Sequence, residues 1–288
     1  MAPARRRACS LVWIRQQRPS CGRAVAASRW RQRSATTNAT WSRHCASRWA
    51  TAPVFERSHH RRIATLLDAL HGPLLRGRGC LFGGGTAMAL RFGEYRESVA
   101  GDFLVSRLDD CRHLRNEPTG PRGPAAITRG PGRLAQVGEL RAHRCGIRTR
   151  VGVDCQPSCS RSCWRVASPC KRRATATWRG IATPTPLDMA TSKLLANSDR
   201  WPDDGVFSPD LIDLAMMRPS LALLRSAVAK AEGAYGASIP RDLGRAIDRM
   251  QSRTGWLERC MEAMGMQGPP AVVWQRIRAL RRVLPRAA

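Results

Sequence analysis

The residues with the clearest chemical use are Gly83-Gly84-Gly85-Thr86 and, a short way on, Asp102. A strand that stops at glycines and then opens a helix leaves backbone N–H groups free at the positive end of the helix dipole. That end suits the phosphates of a nucleotide. Glycine serves there because a side chain would block close approach. An acidic residue on a strand edge about fifteen residues later can return beside the loop and hold Mg²⁺ against the same phosphates. A glycine triplet by itself is more often a turn that packs a helix on a strand. The acid on the following strand edge shifts the balance toward chemistry.

These residues need a strand before the glycines, a helix after them and a second strand carrying the acid. The sequence supplies Cys80-Leu81-Phe82, then Thr86–Arg91 with helical propensity, then the apolar run Phe103-Leu104-Val105. Upstream, Ile63, Leu66, Leu67 and Leu70 repeat at helical spacing, so a helix is expected that ends near His71-Gly72-Pro73. Downstream, the Pro/Gly-rich stretch 118–132 reads as a loop, and Ile147, Val151 and Val153 as a strand. From Leu187 the spacing predicts helices over 187–197, 208–217, 221–235, 241–252, 256–264 and 271–284. Ser208 is a candidate cap, and Pro219, Gly236, Pro240, Gly255 and Pro269-Pro270 are the breaks. The expected fold class is α+β: a small mixed β-sheet with flanking helices over 54–183, followed by a C-terminal helical lobe over 184–288.

With these motifs in place, the chain resembles the nucleotidyltransferase toxins of the AbiEii/AbiGii abortive-infection family, which have the polymerase-β-like nucleotidyltransferase fold. Phe82-Gly83-Gly84-Gly85-Thr86 and Arg91 match the family's first motif, and Asp102-Phe103 matches the end of its second. Downstream, Thr185-Pro186-Leu187-Asp188, Lys193, Arg200 and Asp210-Leu211-Ile212-Asp213-Leu214 follow in the family's order. The resemblance covers about 54–154 and 182–285. It implies Mg²⁺-dependent transfer of a nucleoside monophosphate from an NTP to an acceptor, in some members the end of a tRNA, and a bacterial toxin paired with an antitoxin protein. Gly84, Gly85 and Thr86, with Arg91 at the end of their helix, would bind the nucleotide. Asp102 would bind metal, Lys193 would neutralise phosphate charge, and Asp210 would orient Lys193 or the acceptor. Asp102, Lys193 and Asp210 are the implied catalytic set.

The chain departs from the family pattern at three places. Ala100 stands where the first carboxylate of Asp-x-Asp belongs, and Pro209 where Arg usually precedes Asp210. A third carboxylate is expected on a strand soon after Val153, yet no acid occurs between Asp154 and Asp188. One carboxylate holds two metals poorly. The stretch 155–179 instead carries Cys155, Cys159 and Cys163 at even spacing and Cys170 alone, with no His nearby, a pattern unlike structural zinc. Disulfides are not expected in a cytosolic enzyme. A local change of frame accounts better for the stretch: read one frame over with permissible codons, 157–171 can spell an apolar strand with an embedded Glu.

Composition bears on partners. The chain has 49 Lys+Arg against 21 Asp+Glu, a formal charge of +28. Only Lys171, Lys193 and Lys230 are lysines, which points to codon bias more than to a phosphate-binding surface. Residues 1–53 hold 11 Arg and no acid, and 155–183 hold six Lys+Arg and no acid. Those stretches carry 17 of the 28 charges and leave +11 on the rest, still basic enough for an RNA acceptor. Residues 1–53 have no hydrophobic period and are expected to lie outside the fold. They read as non-native sequence, a transit peptide or a nucleic-acid-binding arm. No run of about 18 apolar residues occurs, so no membrane partner is expected and the expected location is the cytoplasm.

His59-His60 reads as solvated surface, the methionines as core filler, and Arg276, Arg278, Arg281 and Arg282 as a basic face opposite Val273, Ile277, Leu280 and Leu284. Two main readings of function follow: a nucleotidyltransferase with an incomplete carboxylate set, and a catalytically dead module that binds RNA or an antitoxin. A third, a basic DNA-binding protein, would show steeply salt-dependent duplex binding.

Overall fold

A computed structural model describes residues 55–105, 107–130, 134–136, 141–143, 146–153, 156–166 and 176–285. Residues 1–53, and Cys155 and Cys170 of the cysteine-rich stretch, lie outside the described residues. The fold is α+β, with a mixed sheet followed by a run of helices.

Helix α1 (Ser58–Ala69) buries Ile63, Leu66 and Leu67, the stripe its spacing predicts. Pro73 does not end the helical structure. It sits in the first turn of a short second helix, α2 (Gly72–Gly77), where its missing N–H costs nothing. Strand β1 (Cys80–Gly83) runs straight into α3 (Gly84–Arg91), and the chain returns as β2 (Ala100–Val105). β1 and β2 pair antiparallel with Gly83 opposite Asp102, so the turn glycines and the acid share one end of the sheet.

A helix that the spacing does not signal, α4 (Leu108–Thr119), follows. Pro118 stands in its last turn, so the first two residues of the loop expected over 118–132 are helical. A 3₁₀ turn, Gly123–Ile127, occupies more of that loop. The sheet is completed by β3 (Leu134–Gln136), β4 (Arg141–His143), β5 (Gly146–Val153) and β6 (Gln156–Val166), in the order β1-β2-β6-β5-β3, with β4 also on β5. β6 lies parallel to β2 and antiparallel to β5, which makes the sheet mixed. A separate hairpin, β7 (Ala176–Trp178) and β8 (Ile181–Thr183), carries Trp178 into an aromatic core. There Phe82 lies 5.6 Å from Phe103 and 5.8 Å from Trp178, centroid to centroid, and Phe55 meets Trp178 edge-on at 5.5 Å.

The helices are α5 (Pro186–Arg200), α6 (Pro209–Met217), α7 (Leu221–Tyr235), α8 (Ser238–Ser252), α9 (Trp256–Ala263) and α10 (Pro270–Arg278), the last continued by a 3₁₀ turn over Ala279–Val283. Their common core includes Leu194, Leu211, Leu224, Leu243, Ile247 and Ile277, and it takes in Met88 of α3. Helix α3 is therefore packed from both sides, between sheet and helices, and cannot shift without disturbing both. Pro240 proves not to be a break, because it falls in the first turn of α8, where an N–H has no helical partner to lose.

Ser208 holds the cap position of α6, but its side chain makes no capping bond; instead the Trp256 indole N–H donates to its hydroxyl at 3.4 Å. Met217 and Met261 are buried, and Met216, Met264 and Met266 pack partly buried against the same core. Val273, Ile277 and Leu280 face inward, while Arg281 pairs with Asp248 and Arg282 donates to the Pro219 carbonyl. Among the described residues no helix is long and apolar enough to cross a membrane.

Candidate functional site

Helix α3 starts at Gly84, where φ is +70°, a left-handed conformation that an L side chain adopts only with strain. A Cβ at Gly84 would also run into the Asp102 carboxylate. Asp102 and Leu104 sit on the half-exposed face of β2, while Phe103 and Val105 point into the core. The acid is thus brought against the glycine turn, as the spacing predicts. Gly85 has a different neighbour. A Cβ there would occupy the space of Arg96 Nη2 and would stand 3.5 Å from Asp213 Oδ2.

That contact leads to a network of buried ion pairs. Asp213, on α6, is fully buried and accepts bonds from Tyr95 Oη at 2.6 Å and from Arg96 Nε at 2.6 Å and Nη2 at 3.0 Å. Lys193 Nζ, on α5, lies 2.6 Å from Asp213 Oδ2 and 3.1 Å from Asp210 Oδ1. Arg200 closes the cluster on the other oxygen of Asp210. The sequence reason is helical geometry. Asp210 and Asp213 are three apart on α6 and Lys193 and Arg200 seven apart on α5, so each pair shares one face. The group joins three cations and two carboxylates, and Asp199 adds a third carboxylate beside Arg200.

Electrostatics follow from burial and contact. Burial alone would raise the Asp213 pKa; the Arg96 and Lys193 charges overcome it and hold the carboxyl down at about 2. Burial and the adjacent Asp213 charge push the Tyr95 phenol well up, so it stays protonated and donates. For Arg96, burial works against the charge, and Asp213 reverses that to favour the guanidinium.

The segment between α3 and β2 carries Tyr95 and Arg96 and is tied down by His60, which contradicts the expectation that this histidine is solvated. His60 is fully buried. The Ser98 N–H donates to His60 Nε2 at 3.2 Å, so Nδ1 carries the proton and donates to Glu94 Oε1 at 2.6 Å. Burial lowers the His60 pKa, with the Glu94 contact opposing. His59 remains partly exposed, 3.6 Å from Glu97. The doublet before Arg61-Arg62 hides that one ring faces inward and the other out.

The other expected site residues fall as follows. Thr86 is buried, and its hydroxyl is engaged with Ser98 Oγ at 2.6 Å and with the Ala100 carbonyl, so it fastens the loop to the start of β2. Arg91 stands in the last turn of α3, about 10 Å of helix from Gly84. Gly84, Gly85, Asp102, Lys193 and Asp210 are brought to one region. Arg96 and Tyr95 are functional neighbours that the sequence does not single out, and Asp213, visible only as part of a motif, turns out to be the hub.

The donor set for metal is thin. In register, Cys163 of β6 stands beside Asp102 and Arg161 beside Ala100, so neither neighbouring position supplies a carboxylate. Among the described residues no group of three or more His, Cys, Asp or Glu could hold a metal ion. These residues do not fit a two-metal centre.

No family model matches the chain, that of the resembled toxin family included, and no curated protein matches it. The chain is similar to the solved structure of a proposed nucleotidyltransferase from H. pylori, at 14% identity and a TM-score of 0.44, over 80% of this chain and 97% of that one. It is likewise similar to JHP933 from Helicobacter pylori, at 13% identity and a TM-score of 0.43, over 81% of this chain and 95% of that one.

Proposed function

We propose that this chain is a nucleotidyltransferase-type protein that takes a nucleoside triphosphate, with its accompanying Mg²⁺, at the Gly84–Gly85 turn. The observation that carries this reading is the buried cluster of Arg96, Lys193 and Arg200 with Asp210 and Asp213. It brings the Arg96 guanidinium and, through Asp213, the Lys193 ammonium up to a glycine turn at a helix N-terminus. Cationic side chains and helix N-terminal N–H groups gathered at one turn suit an anion. Phosphate oxygens would take the free N–H groups at the start of α3 and the Lys193 ammonium.

In the full reading, the nucleoside monophosphate passes to an acceptor such as the end of a tRNA. Lys193 offsets charge spreading onto pyrophosphate, Asp210 holds Lys193, and Asp102 supplies the carboxylate beside the turn. An antitoxin protein would be the natural partner of such a toxin. A second reading, in which the nucleotide, an RNA or an antitoxin is bound without transfer, is favoured by Ala100 and Cys163 standing where carboxylates are needed.

Incubation with labelled NTPs and total tRNA, with and without Mg²⁺, separates the two. Mg²⁺-dependent labelling that is lost in Asp102→Ala and Lys193→Ala supports transfer. NTP binding without labelling supports the second reading, and labelling gained by Ala100→Asp would strengthen it. Absence of any NTP binding overturns both.

A further inference from the structure

We infer that Asp213 and Arg96 are a positioning pair, which holds the Lys193 ammonium beneath the glycine turn and fixes the shape of that turn. The inference rests on the nucleotide-binding reading above and adds to it a division of labour: Lys193 meets the phosphate, while Asp213, with its acceptor sites filled, holds Lys193 and is itself held by Arg96.

The coordination around Asp213 supports this. A carboxylate offers about four acceptor sites. Those of Asp213 are taken by Tyr95 Oη, Arg96 Nε, Arg96 Nη2 and Lys193 Nζ, all within 3.0 Å. Saturated and fully buried, Asp213 has no capacity left for a ligand. Arg96 commits three of its five N–H donors, Nε and Nη2 to Asp213 and Nη1 to the Glu97 carbonyl at 3.0 Å, which fixes the plane of its guanidinium. Lys193 is the point charge that this pair holds. An ammonium has three N–H donors, and Asp210 and Asp213 account for two directions. The third is the one a phosphate oxygen would take.

Arg96 also explains Gly85. A side chain at this position would displace the guanidinium that Asp213 anchors, so glycine is required here by the protein's own cation below the turn. The glycines serve two causes: Gly84 for its backbone conformation and the Asp102 contact, Gly85 for Arg96.

The lysine count makes a direct test practical, since Lys171, Lys193 and Lys230 are the only lysines. Limited acetylation of the full chain with acetic anhydride, read by peptide mass, reports each amine separately. Lys230, paired with Asp188 and outside the cluster, is the internal reference. In Asp213→Asn the acetylation of Lys193 is expected to rise several-fold relative to Lys230. Affinity for an equimolar mixture of ATP, GTP, CTP and UTP is expected to fall by about tenfold or more, the scale of a lost charge-assisted bond. Arg96→Lys should move both in the same direction.

Tyr95→Phe removes one bond and no charge, and should raise Lys193 acetylation by a smaller factor in a chain that still folds. In the unaltered chain the nucleotide mixture should protect Lys193. Equal rises at Lys193 and Lys230 would mean general loosening and overturn the inference, as would an unchanged Lys193. Nucleotide binding by the unaltered chain that persists undiminished in Asp213→Asn and Arg96→Lys overturns the positioning role alone. Failure of the unaltered chain to bind any of the four nucleotides overturns the nucleotide-binding reading with it.

Discussion

Beneath the glycine turn, Arg96, Lys193 and Arg200 meet Asp210 and Asp213 in a cluster where each carboxylate has two cations and the hub is fully buried. One strand away, Asp102 stands with Ala100 two residues before it and Cys163 beside it in register. The first region draws its members from α5, α6 and the segment before β2. The second needs neighbours on β2 and β6 and does not receive them. Buried ion pairs tolerate little loss, because removing one partner strands the other in low dielectric. Asp102 is half-exposed on β2, and a half-exposed carboxylate is lost at smaller structural cost than a buried one. On the proposed reading, the fold itself would preserve the phosphate-facing half of the site, while only catalysis would preserve the metal-facing half.

The largest expected effect is on the cluster. Asp213→Ala leaves Arg96 and Lys193 buried without their carboxylate and should destabilise the chain by about 3–5 kcal/mol, read by urea unfolding. Asp102→Ala should cost far less. Equal losses from the two substitutions would erase the contrast. The pH dependence has the same origin. The Asp213 carboxyl sits at about 2 against an ordinary 3.8, so its contribution is complete above about pH 4 and is lost as pH falls toward 2. Asp213→Asn should flatten that part of the unfolding curve.

Gly84→Ala comes next, because it touches both regions. A positive φ in a non-glycine residue costs about 1–2 kcal/mol, and the added methyl must also move the Asp102 carboxylate. Thermal unfolding should show a loss of about 2 kcal/mol, together with weakened nucleotide binding. A variant as stable and as tightly binding as the parent would remove Asp102 from the site.

Below these lies His60, which holds the segment bearing Arg96. Its pKa is lowered, so the unfolded chain takes up the proton first. Stability should begin to fall as pH drops below about 6.5, by less than about 1.4 kcal/mol per pH unit. Protonation would place an N–H at Nε2 against the Ser98 N–H. In His60→Gln this acid-side slope should vanish, which links the segment to the cluster if nucleotide binding weakens over the same pH range.

What the sequence made legible was local. The strand, glycine turn and helix over 80–91, and the acid on the next strand, are neighbours in chain order, so spacing alone brings Gly84 and Asp102 together. The α5–α6 faces were legible through periodicity. Arg96 and Tyr95 were not, because their partner Asp213 lies more than a hundred residues away and no spacing rule connects them. The aliphatic stripe of α1 gives no sign of His60, a polar ring that shares the buried face with Ile63 and Leu67. Helix α4 escaped notice because its apolar positions are few and its last turn contains Pro118. In each case tertiary packing decided what local pattern left open.

The smallest effect tests whether the cluster or the helix end positions Lys193. Thr185 caps α5: its hydroxyl oxygen accepts from the Asp188 N–H at 3.0 Å and donates to Asp188 Oδ2 at 2.8 Å. Asp188 in turn pairs with Lys230 and ties α5 to α7. Thr185→Ala should therefore lower stability by about 1 kcal/mol, and Thr185→Ser should restore most of it. Lys193 lies about two turns further along, held in place by Asp210 and Asp213 across the helix pair. A frayed first turn reaches those contacts weakly, so nucleotide affinity measured by calorimetry should stay within about twofold of the parent. If Thr185→Ala instead weakens binding as much as Asp213→Asn does, the end of α5 sets the ammonium's position, and the cluster follows it.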